Sequence, residues 1–301
     1  MAGLKELRSR LKSVRNTKKI TYAMKLVSAA KLRKAQEATS RSREYTELLR
    51  HLAARLQESM ASASEGQDTT HPLMQERTVR RACVIVIGGS RGLAGGYNAN
   101  LVRKVESTIL DLRSGDPGAD MELVAFGRKA VEGLRRMNRA PQFAFDQLPE
   151  DPNQWELGPV LARIESDFRE GRIDAVYLVY TKFRSALSSA PITEQLLPMK
   201  PSMLRPDRSA GAPDRFRKLV FEPSPQQVFS AIVPRVFRSL VLQGALDSKA
   251  SEHGSRMAAM DAATKNAGEL IKGLQLKYNK LRQSGITSEL LDIIGGSEAL
   301  G

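Results

Sequence analysis

The sequence predicts an α/β chain: a long antiparallel coiled coil of N- and C-terminal helices plus a central Rossmann-like α/β domain. Three features carry this. Proline and glycine are absent from Leu4 to about Met60, a heptad runs from Met257 to Leu281, and strand-length apolar runs alternate with amphipathic stretches between them. The expected domains are an N-terminal coiled-coil helix at 1–60, an α/β domain at 75–222 and a C-terminal coiled-coil helix at 225–294.

In the first helix, Leu4, Leu7, Leu11 and Val14, then Ile20, Ala23, Val27 and Ala30, each follow 3-4-3 spacing. The two sets differ in phase, so a slip in the seam is expected between them. At about 1.5 Å per residue, some 55 residues would make a helix of about 80 Å. The opening MAGLKELRSRLKSVRNTKKI is basic and amphipathic like a mitochondrial leader, but its pattern continues without a break, so it reads as part of the mature helix.

The central region has apolar runs at 82–87 (ACVIVI), 121–126 (MELVAF) and 173–181 (IDAVYLVYT), with a further strand expected at 217–222 (RKLVFE). Helical stretches fall near 98–113, 127–138 and 153–170. This alternation implies a mostly parallel sheet with right-handed crossovers. Residues 200–215, rich in Pro, Ser, Arg and Gly, read as an exposed loop.

The last helix has the strongest period. Met257, Met260, Thr264, Ala267, Ile271, Leu274, Tyr278 and Leu281 alternate steps of three and four, and the pattern extends weakly back through Ala250, Leu246 and Val236. Pro234 predicts a kink or restart, and Gly295–Gly296 predicts the end. Small and polar seam members such as Thr264 and Ala267 imply a moderately stable pair that needs a surrounding partner.

Composition narrows the function. The net charge is +14, and residues 1–60 alone hold 15 Lys+Arg against 5 Asp+Glu. A basic helix suits nucleic acid, an acidic membrane surface or an acidic protein partner. The aromatic interleaving that favours nucleic acid is sparse, with Tyr22 and Tyr45 alone on that helix. No run of about eighteen apolar residues is evident, so no membrane span is expected. Cys83 is the one cysteine, which excludes an internal disulfide and implies a reducing compartment. His51, His71 and His253 lack metal-ligand spacing, and no nucleophile–base pair stands out. The acids near Asp146–Asp151 read as solvated. The Gly88–Gly96 loop follows a strand, where phosphates are often cradled, but it lacks both G-x-G-x-x-G and Gly-Lys-Ser/Thr spacing. A packing turn or protein contact is the better reading. No catalytic, cofactor-binding or metal residue is therefore assigned.

Four segments resemble one family. ITYAMKLVSAAK at 20–31 is similar to its "ITKAMxMVAASK", and SRGLAGGYN at 90–98 to its "DRGLCGGxN". The stretch from Ser251 to Ala267 resembles "SEQAARMxAMKAATDNA", and that from Tyr278 to Leu290 resembles "YNKARQxxITxEL". These are signatures of the gamma subunit of F-type ATP synthase, of bacterial type. The resemblance implies a central-stalk rotor that couples ion flow to ATP synthesis or hydrolysis in a hexamer of alpha and beta subunits. It implies one copy per complex, partners in the alpha/beta hexamer, the epsilon subunit and the c-ring, no nucleic acid, and no catalysis or cofactor of its own. A peripheral place on the cytoplasmic face of the bacterial inner membrane follows. By the same matching, Met24, Lys25, Arg256, Arg282, Gln283 and Thr287 would contact the hexamer. Ala94 stands where the family has cysteine, Ser90 where it has aspartate, and Lys25 where an acid is common. The plastid regulatory dithiol has no counterpart, which favours a bacterial origin.

Overall fold

The computed structural model describes residues 2–63, 71–115, 118–186, 188–205 and 221–298. The elements in order are α1 (Ala2–Ala63), β1 (Arg81–Ile87), α2 (Tyr97–Gly115), β2 (Asp120–Phe126), α3 (Arg128–Arg136), β3 (Phe143–Phe145), α4 (Leu157–Arg169), β4 (Ala175–Ser185), β5 (Ser188–Leu197) and α5 (Pro225–Glu298). Two compact units result. One holds residues 1–30 and 256–301, the other 31–255, so part of each long helix belongs with the sheet.

In the 31–255 unit the sheet order is β3-β2-β1-β4-β5. The first four strands are parallel and β5 returns antiparallel to β4. Alternation along β1 sorts the core into two layers. Cys83, Ile85 and Ile87 face one side with Leu161, Ile164 and Phe168 of α4 and with residues of α1 and α5, while Val84 and Val86 face the other with α2 and α3. Six of the seven β1 residues are buried, the pattern of a strand covered on both faces.

Strand β5 was not expected. Its SSAPITEQLL sequence is polar and carries Pro191, which suits an edge strand that donates only on one side. The strand expected at 217–222 falls mostly outside the described residues, and Phe221–Glu222 are not strand. Of the expected 200–215 loop, residues 206–215 also lie outside, while Pro201–Leu204 form a 3-10 turn.

Helix α5 corrects the expected restart at Pro234 and the expected end at Gly295–Gly296. It runs unbroken through Pro234 and through Gly295–Gly296. Proline at 234 leaves the Ser230 carbonyl, four residues back, without its helical donor. The buried His71 side chain makes a hydrogen bond to the Ser230 backbone, and its Nδ1 accepts from Leu73 N at 3.1 Å. His71 thus gives the Ser230 backbone a polar partner beside Pro234. Burial, and next the charge of Arg169, lower its pKa. At Gly295–Gly296 the intrinsic cost of glycine, about 1 kcal/mol each, is a weak stop signal by itself. One stretch of α5 also reaches the length and hydropathy of a membrane span, contrary to expectation. More than half of that stretch is buried, and Phe229, Val233, Val236, Phe237 and Val241 of α5 all lie in the sheet core.

The glycine loop after β1 is a packing device. A side chain on Gly88 would stand 2.7 Å from both Ala130 Cβ and Leu101 Cδ2, and one on Gly127, at φ +101°, would meet Gly88 O at 2.4 Å. Gly88 N–H donates to Phe126 O at 2.9 Å, and Gly89 N–H donates to Asn98 Oδ1 at 3.2 Å. The carboxyl ends of β1 and β4, where strand order reverses and such folds usually take ligands, are covered by α5. Ser248 Oγ accepts from Thr181 N at 3.2 Å and donates to Ile87 O at 3.3 Å, Ser251 Oγ donates to Thr181 O at 3.1 Å, and Tyr97 donates to Ser248 O at 3.1 Å. Helix backbone stands where a nucleotide would.

Candidate partner-binding surface on the helix pair

In the unit of residues 1–30 and 256–301, α1 and α5 pair antiparallel. Arg15 Nη2 donates to Gln275 Oε1 at 2.8 Å, Thr264 Oγ1 lies 2.8 Å from Thr21 Oγ1, and Lys25 Nζ lies 2.6 Å from Asp261 Oδ1. On α5 the expected heptad holds: Met260, Ala267 and Leu274 are buried, with Met257, Thr264, Ile271 and Tyr278 half-buried. Leu281 does not join it, being 47% exposed.

On α1 the expected phase slip is absent. The seam keeps one heptad phase through Leu4, Leu7, Leu11, Val14, Lys18, Thr21, Lys25 and Ser28. Its second half is polar: Thr21 and Ser28 are buried, and Lys18 lies against Gly268, whose missing side chain would meet Lys18 Nζ at 3.3 Å. The apolar residues taken for the seam point outward instead. Ile20 is 60% exposed and Val27 57%, and Tyr22 and Leu26 are exposed beside them. On α5, Leu270, Leu276, Ile286, Leu290 and Leu291 are exposed as well. Large apolar side chains turned to solvent in such numbers mark a protein–protein surface.

Charge lies alongside. Lys5, Arg8, Lys12, Arg15 and Lys19 recur at steps of three and four and line a groove of about 1050 Å³ with Ile271 and Tyr278 and no acidic residue. Against acidic loops, such a stripe attracts at a distance without fixing any single geometry.

The six residues carried over from the resemblance take different environments. Met24 is half-buried, and Arg282, Gln283 and Thr287 are exposed, with Thr287 Oγ1 donating to Gln283 O at 3.0 Å. Lys25 is committed inside the pair. Its hydrogen bond to Asp261, and then that charge, raise its pKa, while Lys25 and Lys265 together lower that of Asp261. Arg256 is buried and has partners of its own. Sequence reasoning missed Thr21 and Asp261. The polar seam member Thr264 and the i,i+4 pair Asp261–Lys265 were the available signals.

No group of three metal-ligating side chains occurs among the described residues. Cys83 is fully buried, and burial pushes its thiol far above the ordinary range, which leaves it inert.

Comparison with known proteins decides the family. A model of the ATP synthase family matches residues 3–300, and the ATP synthase gamma chain of Heliobacterium modesticaldum is 39% identical over 302 residues, covering all of both chains. The chain belongs to the ATP synthase gamma chain family. The gamma chains of Anaeromyxobacter sp., 38% identical over 300 residues, and Cupriavidus pinatubonensis, 39% over 305, also match over the full length of both chains. The fold extends further. A chain of the Euglena gracilis mitochondrial ATP synthase, in a structure of OSCP, F1 and c-ring, superposes with a TM-score of 0.62 at 17% identity, covering 99% of this chain and 95% of that one. A chain from the Euglena rotor gives 0.59 at 18% identity, covering 95% and 99%.

Proposed function

We propose that this chain is the central-stalk rotor subunit of an F-type ATP synthase, coupling ion flow in the membrane sector to ATP synthesis or hydrolysis in the alpha/beta hexamer. The observation that carries the reading is the helix pair, whose polar seam leaves its apolar and basic residues facing outward, on a chain that matches gamma chains from end to end. A turning shaft needs stiff backbone and many modest contacts, since deep anchors would hold it at one angle. In this reading the chain is non-catalytic, and nucleotide chemistry belongs to the hexamer. α5 across the carboxyl edge of the sheet supports that division.

The finer assignments belong to the same proposal. Met24, Arg282, Gln283 and Thr287 face the hexamer, while Lys25 acts through Asp261 to set the pair beside Met24. The sheet unit binds the epsilon subunit and rests on the c-ring, which places the chain peripherally on the cytoplasmic face of a bacterial inner membrane, one copy per complex. An affinity-tagged chain should recover alpha, beta and epsilon subunits in fixed stoichiometry. Recovery of nucleic acid instead, in a nuclease-sensitive manner, would overturn the rotor reading in favour of a basic adaptor. Within the complex, Met24→Lys should preserve assembly and lower the ATP made per ion moved, read in membrane vesicles. Unchanged coupling would remove Met24 from the contact set.

A further inference from the structure

The chain passes between its two units twice, at Ala30–Lys31 on α1 and at Ser255–Arg256 on α5. Just inside the 31–255 unit at both crossings, one carboxylate gathers two lysines and a histidine from the two helices. Glu150 Oε1 lies 2.9 Å from His253 Nε2, 3.3 Å from Lys31 Nζ and 3.7 Å from Lys249 Nζ. The acids of this connection were expected to be solvated, and Glu150 is exposed, its side chain at 43%, while also pairing with the two helices.

The loop that presents Glu150 is anchored to the sheet. Trp155 Nε1 donates to Pro149 O at 2.9 Å, and the Trp155 ring stacks on Phe126 of β2 at 5.9 Å. Asp151 is occupied locally, its Oδ1 accepting from Asn153 N at 3.0 Å and from Asn153 Nδ2 at 2.8 Å. That leaves Glu150 to serve the helices. Two of its partners are buried, the Lys249 side chain at 7% exposure and that of His253 at 5%. Glu150 itself is exposed and Lys249 Nζ also donates to Glu252 Oε2 at 3.2 Å, so the contact rests on the convergence of Lys31, Lys249 and His253 on one carboxylate and not on the strength of any one pair. The hydrogen bond from His253 holds the Glu150 carboxyl well below the usual carboxylate range, with Lys249 and Lys31 adding to it against the desolvation.

We propose that Glu150 is a positioning residue for torque transfer: it clamps α1 and α5 to the sheet through a loop fixed by Trp155, at the last turns before both helices leave the 31–255 unit. The proposal rests on the rotor reading. Twist arriving along either helix then loads the whole sheet, because Lys31 on one helix and Lys249 and His253 on the other share one carboxylate.

The test uses the assembled complex, carrying Glu150→Gln and an optical probe on the sheet unit, with the hexamer halted by a non-hydrolysable nucleotide. The angular variance of the probe should rise, because the carboxylate shared by both helices is lost, with subunit stoichiometry and ATP hydrolysis unchanged. Glu150→Asp should bring the variance part of the way back. Equal variance for Glu150→Gln and wild type, in complexes that assemble and turn, would overturn the clamp. If Glu150→Gln fails to assemble, Lys31→Met is read instead, since it removes only the half-exposed arm; it should widen the distribution by less, and an unchanged width would overturn the clamp equally. A wild-type complex that assembles but does not turn would contradict the rotor reading and not the clamp.

Discussion

In the 31–255 unit most large apolar side chains point inward, with Ile85, Phe126, Phe168 and Phe237 all but inaccessible and Leu93 and Leu110 among the exceptions, and Ser248 ties β1 to β4 while Thr181 Oγ1 and Gln243 Oε1 stay buried without a hydrogen bond. In the unit of residues 1–30 and 256–301 the arrangement is close to reversed. Thr21, Lys25 and Ser28 hold the seam, while Ile20, Leu26, Val27 and Leu276 face outward. The first unit spends its hydrophobicity on its own fold; the second keeps much of it for another surface. A seam registered by Thr21–Thr264 and Lys25–Asp261 fixes alignment with little dry burial. Under the proposed function, the sheet unit is the one expected to stand alone and the helix pair the one expected to be completed by partners.

The comparison breaks first on core truncation. Phe237→Ala should cost the sheet unit about 3–5 kcal/mol, whereas Leu274→Ala in the helix pair should cost about 2 kcal/mol, at the lower end for such changes. Urea unfolding of the full chain measures both, and equal losses would mean the helix pair is as self-sufficient as the sheet.

A smaller effect is expected at Asp247. Burial pushes its carboxyl up to about 6, against the pull of Arg43 and a 3.3 Å hydrogen bond from Gln243. The folded form therefore holds this proton more tightly than the unfolded one, so stability falls as pH rises from about 4 to about 6 and stays low above that. Asp247→Asn should stabilise the chain by about 2 kcal/mol at pH 8 and by little at pH 4, read from urea midpoints.

His71 works in the opposite sense. Its lowered pKa means the unfolded chain takes up the proton first, so its contribution is complete above about 6.5 and is lost as pH falls below that value. His71→Gln should remove that acid loss and make stability between pH 7 and 5 rise or level out as pH drops. An unchanged acid limb would contradict the lowered pKa of His71.

The smallest change is expected from Lys25→Met or Asp261→Asn. Both side chains are about a third exposed, and solvent screens their attraction, so unfolding should hardly shift in either variant. A large loss would show that the ion pair holds the two helices together as well as aligning them.

Much of the fold was legible in the sequence because apolar periodicity tracks burial wherever a segment packs on its own chain. β1, β2, β4 and the Met260–Leu274 seam satisfy that condition. On α1 the same rule fails after Val14, since Ile20 and Val27 are apolar for a surface that is not their own core, and the polar Thr21 and Ser28 hold the heptad phase. β5 escaped notice because an edge strand with Pro191 lacks the alternation of a buried one. The polar partner of Ser230 beside Pro234 is His71, more than 150 residues away in sequence, which no local signal reveals. For the candidate surface, residue identities such as Met24 and Arg282 came from family resemblance, and only the structure separates those turned outward from Lys25 and Arg256.

The central claim is that the outward apolar face of α1 is completed by a hexamer. The only native cysteine, Cys83, is fully buried, so Val27→Cys supplies one reactive thiol on that face. Maleimide labelling should be fast in the free full chain and suppressed at least roughly tenfold in the complex with alpha and beta subunits, as expected for a side chain covered by an interface core. Equal labelling in both states would contradict the claim and leave the exposed face of α1 without its partner.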